Sequence, residues 1–320
     1  MLSIGIDEAG YGPLLGPLVV SAVAMTLPDD RAEGSLWKLF PKGLTDQVKN
    51  AGGRIIIADS KKVYRGNTRE IRELERSTLA GITLAGLIPP QDFTELVKAI
   101  SLETDPHLHH PWYSHRSMAI PCRVEPAALK LSVGMLNREM ANIGAKVVAL
   151  KSVPLVEKRY NYLVQQTRNK SEVVFSQTVR LITEILKISQ EKRVTICVDK
   201  QGGKDCYVRN LLRAFPDAQL AIKMEGSDES AYTLTVEGRS ISIHFCKKGE
   251  TRHLLIAWAS IVSKYLRELF MHQFNAYWHA MDPTLEDTAG YWEDGLRFMK
   301  AIEPLLKKAN ISPDELIRQL

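Results

Sequence analysis

The stretch Ile4-Gly5-Ile6-Asp7-Glu8-Ala9-Gly10 runs from an apolar strand into two adjacent carboxylates and then a glycine. Residues 2–7 and 17–26 (PLVVSAVAMT) read as two apolar strands, with Gly10, Gly12, Pro13, Gly16 and Pro17 breaking the chain between them. Strand ends beside such loops are where α/β proteins display chemistry. An acidic pair there repels itself unless a cation or solvent neutralises it. The same order recurs twice. Val194-Thr195-Ile196-Cys197-Val198 ends on Asp199 before Gly202-Gly203, and Leu220-Ala221-Ile222-Lys223-Met224 is followed by Glu225, Gly226 and Asp228. Taken singly, each acid reads as well as a solvated strand end, a turn or a helix cap. Three strands finishing alike favour chemistry. Carboxylates gathered without His or Cys suit hard cations such as Mg2+ or Mn2+. Two such ions, about 3.5–4 Å apart, clamp the attacking and leaving oxygens of a phosphodiester. The pattern points to metal-assisted phosphoryl chemistry and leaves the substrate unnamed.

Outward from these strands the periodicity alternates between strand and helix. Arg54 to Ala58 is a short apolar strand, and Asn67 with Glu70 three positions on reads as a capping box before Ile71, Leu74, Leu79 and Ile82. Helices are expected over Asp92 to Ile100 and Glu125 to Ile143, and a strand over Lys146 to Leu150. Ser171 reads as the cap of a helix leading to the strand that ends on Asp199. A helix around Cys206–Phe215 follows. SAYTLTV and RSISIHF, joined by Glu237-Gly238, form a β-hairpin signal, and helices at 254–279 and 290–309 finish the chain. Without repeats or a low-complexity linker, the economical reading is one α/β domain over 1–320. It carries insertions near 101–150 and 229–252 and a helical C-terminal region, 280–320.

Composition narrows the class. Of 320 residues, 45% are hydrophobic and 25% charged, as in ordinary globular proteins. No apolar run approaches the roughly 20 residues that span a bilayer. The N-terminus lacks signal-peptide features, so a cytoplasmic location and no membrane partner are expected. Cys122, Cys197, Cys206 and Cys246 are scattered and read as reduced thiols, without disulfide or zinc spacing. A net charge of +5 permits a polyanionic partner without demanding one.

Gly5-Ile6-Asp7-Glu8-Ala9-Gly10-Tyr11-Gly12-Pro13-Leu14-Leu15-Gly16-Pro17 closely resembles the N-terminal signature of the type 2 ribonucleases H, the ribonucleases HII and HIII. Asp59-Ser60-Lys61-Lys62 resembles their D-S-K motif, and Asn67-Thr68-Arg69-Glu70 the start of their next helix. Val198-Asp199 is similar to the strand carrying their third acid. Ala259-Ser260-Ile261-Val262-Ser263-Lys264 is similar to their A-S-I-x-A-K helix, with Ser263 for the usual alanine, and Gly290-Tyr291 to their late G-Y element. The matches keep family order across residues 4–295. The resemblance implies a ribonuclease H-like fold, a central mixed sheet flanked by helices. It implies a metal-dependent endonuclease, using Mg2+ or Mn2+, that hydrolyses the RNA strand of RNA/DNA hybrids to leave 5′-phosphomonoesters. It also implies four acids: Asp7, Glu8, Asp199 and one more. Lys223-Met224-Glu225-Gly226 resembles the K-A-E segment of the HIII branch, which makes Glu225 the expected fourth ligand, ahead of Asp228 and then Glu268. Gly10, Tyr11 and Gly12, with Ser60, Lys61 and Tyr291, are the implied substrate contacts, Lys61 at a phosphate and Tyr291 against a sugar. A monomer is the default.

The chain also departs from the family. Tyr11 stands where the family's loop carries Arg or Lys, which removes a cation near the phosphate and adds an aromatic face. This puts selectivity for ribonucleotide junctions in doubt. His107, His109, His110 and His115 lack metal-site spacing, so the 101–124 stretch is expected to pack over the cleft or touch nucleic acid through Trp112, Tyr113 and Arg116. Arg239, Lys247, Lys248 and Arg252 read as a phosphate-tracking strip on the hairpin. Two alternatives stand beside hybrid cleavage: a divergent nuclease of this fold acting on another DNA or RNA structure, and a catalytically silent nucleic-acid-binding module. A dinucleotide-binding loop is set aside, because Gly10-Tyr11-Gly12 lacks a third glycine and runs into Pro13.

Overall fold

The computed structural model describes the whole chain except residues 32–33, 65–70, 104–109, 115–116, 201–202 and 320. The strands are β1 (Leu2–Ala9), β2 (Leu18–Thr26), β3 (Leu44–Thr45), β4 (Ile55–Ile56), β5 (Lys146–Leu155), β6 (Arg193–Asp199), β7 (Gln219–Met224), β8 (Glu229–Val236) and β9 (Arg239–Cys246). The helices are α1 (Ser60–Val63), α2 (Ile71–Leu84), α3 (Phe93–Ile100), α4 (Pro111–Ser114), α5 (Pro126–Asn142), α6 (Glu157–Thr167), α7 (Lys170–Ile188), α8 (Val208–Ala214), α9 (Leu254–Met281) and α10 (Trp292–Ala309). Seven of these strands form one mixed sheet in the order β5-β2-β1-β6-β9-β8-β7, while β3 and β4 make a small parallel pair. β1 is antiparallel to β2 and parallel to β6, and β6 is parallel to β9. This mixed sheet flanked by helices is the α/β arrangement expected from the sequence. Among the described residues, no helix is long and apolar enough to cross a membrane.

Strand alternation divides the core. On β1, Leu2, Ile4 and Ile6 join Phe175, Leu181, Ile182 and Ile185 of α7, together with Val198 of β6. On β2, Val19, Val23 and Met25 face the other way, into the layer of α2, α3 and α9. Gly5 sits on that second face, and α9 comes down directly on it. A Cβ at Gly5 would stand 2.1 Å from the carbonyl carbon of Leu255 and 2.3 Å from the nitrogen of Ile256. The missing side chain therefore lets helix backbone rest on strand backbone.

Several local expectations are revised. The hairpin is present, and Glu237 (φ 49°) and Gly238 (φ 72°) are both left-handed, as a type I′ turn requires. However, its second strand, β9, pairs with β6 in the middle of the sheet, so this segment belongs to the framework and is no appendage. α7 is capped by Asn169, whose side chain accepts from the Ser171 N–H, and Ser171 lies inside the helix. The Asn67–Glu70 capping box falls outside the described residues, as does Gly202. Trp112 and Tyr113 do not reach solvent. They are 0% and 1% exposed, packed on Phe274 and Phe270 of α9, because a short helix turns them inward. His110 stacks on Trp112 at 4.5 Å, whereas His107, His109, His115 and Arg116 lie outside the described residues. Arg239 donates to the carbonyls of Leu186 and Ser189 and braces the end of α7.

Gly5→Ala is expected to lower stability by about 3 kcal/mol, since neither backbone can yield without shifting a core element. Urea denaturation followed by circular dichroism measures it.

Candidate active site

β1, β6 and β9 run parallel, so their C-terminal ends open on one edge of the sheet, the edge where open α/β sheets place chemistry. Asp7 and Glu8 sit near the end of β1, Asp199 ends β6, and Glu250 lies in the 3-10 turn Gly249–Thr251 that follows β9. Asp7 is 7% exposed. Its Oδ1 accepts the Glu8 N–H at 2.7 Å, its backbone carbonyl accepts from Ser263 Oγ at 3.0 Å, and its carboxylate is hydrogen-bonded to Ser260. Ser260 Oγ in turn lies 2.9 Å from Ser60 Oγ. The D-S-K and A-S-I-V-S-K segments thus meet beneath one carboxylate. Asp199 Oδ1 accepts the Gly249 N–H at 2.7 Å and shares a hydrogen bond with the Glu250 carboxyl.

The electrostatics tie these acids into one group. Burial, with the charges of Glu8 and Asp199, lifts Asp7 well above the carboxylate range. Burial and the charge of Asp199 push Glu8 up to about 8, against a smaller pull from Lys61. Burial and Glu250 carry Asp199 to about 7, opposed by the Gly249 N–H. These acids resist full ionisation together without a compensating cation. The donor set is all oxygen, and Glu8 Oε2 is closed to solvent with no hydrogen-bond partner. Both features fit a hard cation such as Mg2+ or Mn2+. Among the described residues, no three His, Cys, Asp or Glu groups already stand at metal-binding spacing, so the carboxylates would have to close on the ion.

Glu225 lies elsewhere. It follows β7 on the same sheet edge but four strands from β1, about 19 Å at ordinary strand spacing. Its carboxylate accepts from the Tyr232 hydroxyl, which holds it below the usual glutamate value. Asp228 is exposed and paired with Lys247 at 3.6 Å. Glu268 is occupied by Lys264 at 2.8 Å and the Tyr64 hydroxyl at 2.8 Å. The fourth acid of the group is Glu250. In the sequence Glu250 lies between Lys247, Lys248 and Arg252, residues that read as a basic strip, and it does not directly follow an apolar strand. The signal that finds it is β9: a third strand parallel to β1 brings the next carboxylate to the same edge.

The other expected contacts frame this cluster. Gly10 has φ 85°, and a Cβ there would stand 2.6 Å from the Pro17 carbonyl, so the turn after Glu8 requires glycine. Tyr11 is half-buried and its hydroxyl is pushed up by burial and by Glu8; Gly12 is open to solvent. Lys61 is exposed, its backbone N–H bonded to Asp59 at 2.9 Å, and its charge reaches Glu8. Tyr291 is 51% exposed, with the Arg267 guanidinium 5.6 Å from its ring centre. The Gly290 carbonyl accepts the Leu14 and Leu15 N–H groups at 2.8 and 3.1 Å, which fixes Tyr291 beside the loop.

The sequence matches no family model. Over 79 residues, a quarter of this chain and 38% of the relative, it is 37% identical to a ribonuclease HII of Gluconobacter oxydans (strain 621H). The chain thus aligns with less than two-fifths of the length of that curated relative. Similar solved structures include ribonuclease HII of Archaeoglobus fulgidus in its complex with PCNA, at 14% identity and a TM-score of 0.43 over all of this chain and 94% of that one. Ribonuclease H2 from Pyrococcus horikoshii OT3 gives 12% and 0.41 over 99% and 92%. Bst-RNase HIII in complex with Mn2+ gives 15% and 0.41 over 100% and 66%. Over those 79 residues the chain is similar to a ribonuclease HII.

The raised acids carry a pH signature with a definite sign. Unfolded carboxylates titrate near 4, whereas Glu8 and Asp199 titrate near 8 and 7 when folded, so the folded state holds extra protons between these values. Metal-free protein is expected to be most stable below about pH 4 with respect to these groups and to lose that contribution as pH rises through about 8. Glu8→Gln should flatten the slope and raise metal-free stability at pH 8 by at least about 1 kcal/mol. Urea titrations across this range, with chelator present, measure both.

Proposed function

We propose that this chain is a metal-dependent endonuclease that hydrolyses the RNA strand of RNA/DNA hybrids. The observation that carries the reading is the convergence of Asp7, Glu8, Asp199 and Glu250 at the ends of three parallel strands, with their charges mutually unsatisfied. The likeness to ribonuclease HII adds the substrate class. Asp7, Glu8, Asp199 and Glu250 would hold one or two Mg2+ or Mn2+ ions. When bound, such ions lower the pKa of an attacking water and stabilise a leaving oxygen.

The chain's own residues do the positioning. Ser260 and the Glu8 N–H hold the Asp7 carboxylate, and the Gly249 N–H holds that of Asp199. Lys61 would take a phosphate oxygen, a role that its exposure and its charge interaction with Glu8 support. Tyr291 offers an exposed ring beside the Gly10–Gly16 loop for a sugar. Water gives up a proton to solvent as it adds to phosphorus, the bond to the 3′ oxygen breaks, and that oxygen takes a proton from solvent. A 5′-phosphate and a 3′-hydroxyl remain.

Tyr11 favours a second reading, cleavage of a different nucleic-acid structure by the same acids, because its loop presents an aromatic ring beside Glu8. One assay separates the readings: Mg2+- or Mn2+-dependent cutting of matched hybrid, single-ribonucleotide duplex and all-DNA duplex. Hybrid cutting supports the first and DNA cutting the second. Binding without cutting of any substrate would leave a silent module.

Asp7→Asn and Asp199→Asn should each lower hybrid cleavage by about 10³-fold, and Glu250→Gln by about 10²-fold. Glu225→Gln should remain within about twofold of wild type, since it lies on the far flank of the sheet. Initial rates at saturating metal decide this, and a silent Glu250→Gln beside an inactive Glu225→Gln would reverse the assignment.

A further inference from the structure

Lys170 opens α7, and its Nζ stands 5.7 Å from the centre of the Tyr11 ring. It is the first helical residue, where the peptide dipoles already concentrate positive charge, so a lysine there works against the helix. Asn169 supplies the cap, so Lys170 is not needed to start it. The α7 carboxylate Glu172 is taken by Lys204 and Arg213. Among the described residues, no carboxylate pairs with Lys170. Its charge meets part burial and a second cation, Arg318, and both pull its pKa down.

Arg318 is itself 2% exposed. Its Nε donates to the Pro13 carbonyl at 3.0 Å, its backbone N–H donates to the Leu14 carbonyl at 2.9 Å, and its guanidinium lies 4.7 Å over the Tyr160 ring. Two cations therefore share the surroundings of one loop, and that loop is anchored three residues from Glu8. Tyr11 links the two regions: its hydroxyl feels Glu8 while its ring carries Lys170. An uncompensated positive spot beside an acid cluster has the charge layout that a polyanion crossing both would need. One phosphate engages the acids through cations, and a neighbouring one meets a free lysine.

We propose that Lys170 binds a backbone phosphate of the nucleic-acid substrate, with Tyr11 as the platform that holds the ammonium in place and presents a ring face to the adjoining nucleotide. The inference rests on the nuclease reading above and adds to it a phosphate subsite on α7.

The test is the salt dependence of binding to a short fluorescent RNA/DNA hybrid, followed by anisotropy with chelator present. The same quantity is followed through kcat/KM at fixed Mg2+. Lys170→Gln and Lys170→Arg are compared with wild type, and thermal melts confirm that both fold. Lys170→Gln should weaken binding several-fold at low salt and lower the slope of log K against log salt by about 0.9, the loss of one phosphate contact. Lys170→Arg should keep the wild-type slope. A merely structural lysine would leave the slope alone. If wild type binds and cuts hybrid while Lys170→Gln keeps the full slope, the phosphate role is overturned and the nuclease reading stands. If wild type neither binds nor cuts hybrid, both fall.

Discussion

The first turn of α9 rests on the bare α-carbon of Gly5, where any side chain would lie about 2 Å from helix backbone. Everything at the sheet edge depends on that approach. From this seat α9 runs past the end of β1 and delivers Ser260 to the Asp7 carboxylate and Ser263 to the Asp7 carbonyl. Ser60 reaches the same point from α1 through Ser260. A strand displaced by one side-chain width would break both of the hydrogen bonds that α9 makes to Asp7. The packing of the fold and the setting of the acid are one constraint.

A second layer of buried charge fixes the loop that follows. Glu157 is fully buried at the start of α6, accepts from the Gly16 N–H at 3.1 Å and from the Tyr113 hydroxyl at 2.6 Å, and is pushed up to about 7 by burial. Arg267 donates to the carbonyls of Leu15 and Ala289, and Arg318 to that of Pro13. Buried loop carbonyls have no sheet or helix partner of their own yet must be paired, and here two arginines supply the donors. The cost of burying these ions is offset only because each meets several backbone groups. The Trp112–Tyr113 segment, expected at the nucleic acid, instead takes part in this support.

Much of this was legible in sequence because it is written in adjacent residues. Continuous apolar runs located β1, β2 and β6, alternation located the hairpin, and the Glu237-Gly238 turn carries its own φ requirement. Elements without a local signal were missed. α6 follows β5 directly, and Val156, its cap, offers no side-chain hydrogen bond. α4 is four residues long, too short for periodicity to reveal which way Trp112 faces. Asn169 lost the cap to Ser171 because both are good capping residues and only backbone geometry separates them.

The fourth acid shows the limit most clearly. Asp7, Glu8 and Asp199 each follow an apolar strand, and so does Glu225, so composition ranks them alike. What separates Glu225 from Glu250 is lateral order in the sheet, and lateral order is a property of pairing between distant segments. β9 inserts between β6 and the β8–β7 pair, and this moves the end of β7 out of reach while the turn after β9 falls beside Asp199. Carboxylates can share a cation only if the ends that carry them lie close together, since ligand oxygens must lie within about 2–2.6 Å of it. Four strand spacings exceed any glutamate's reach. The proposal of Glu250 over Glu225 therefore rests on topology, on a hairpin whose second strand lies in the centre of the sheet.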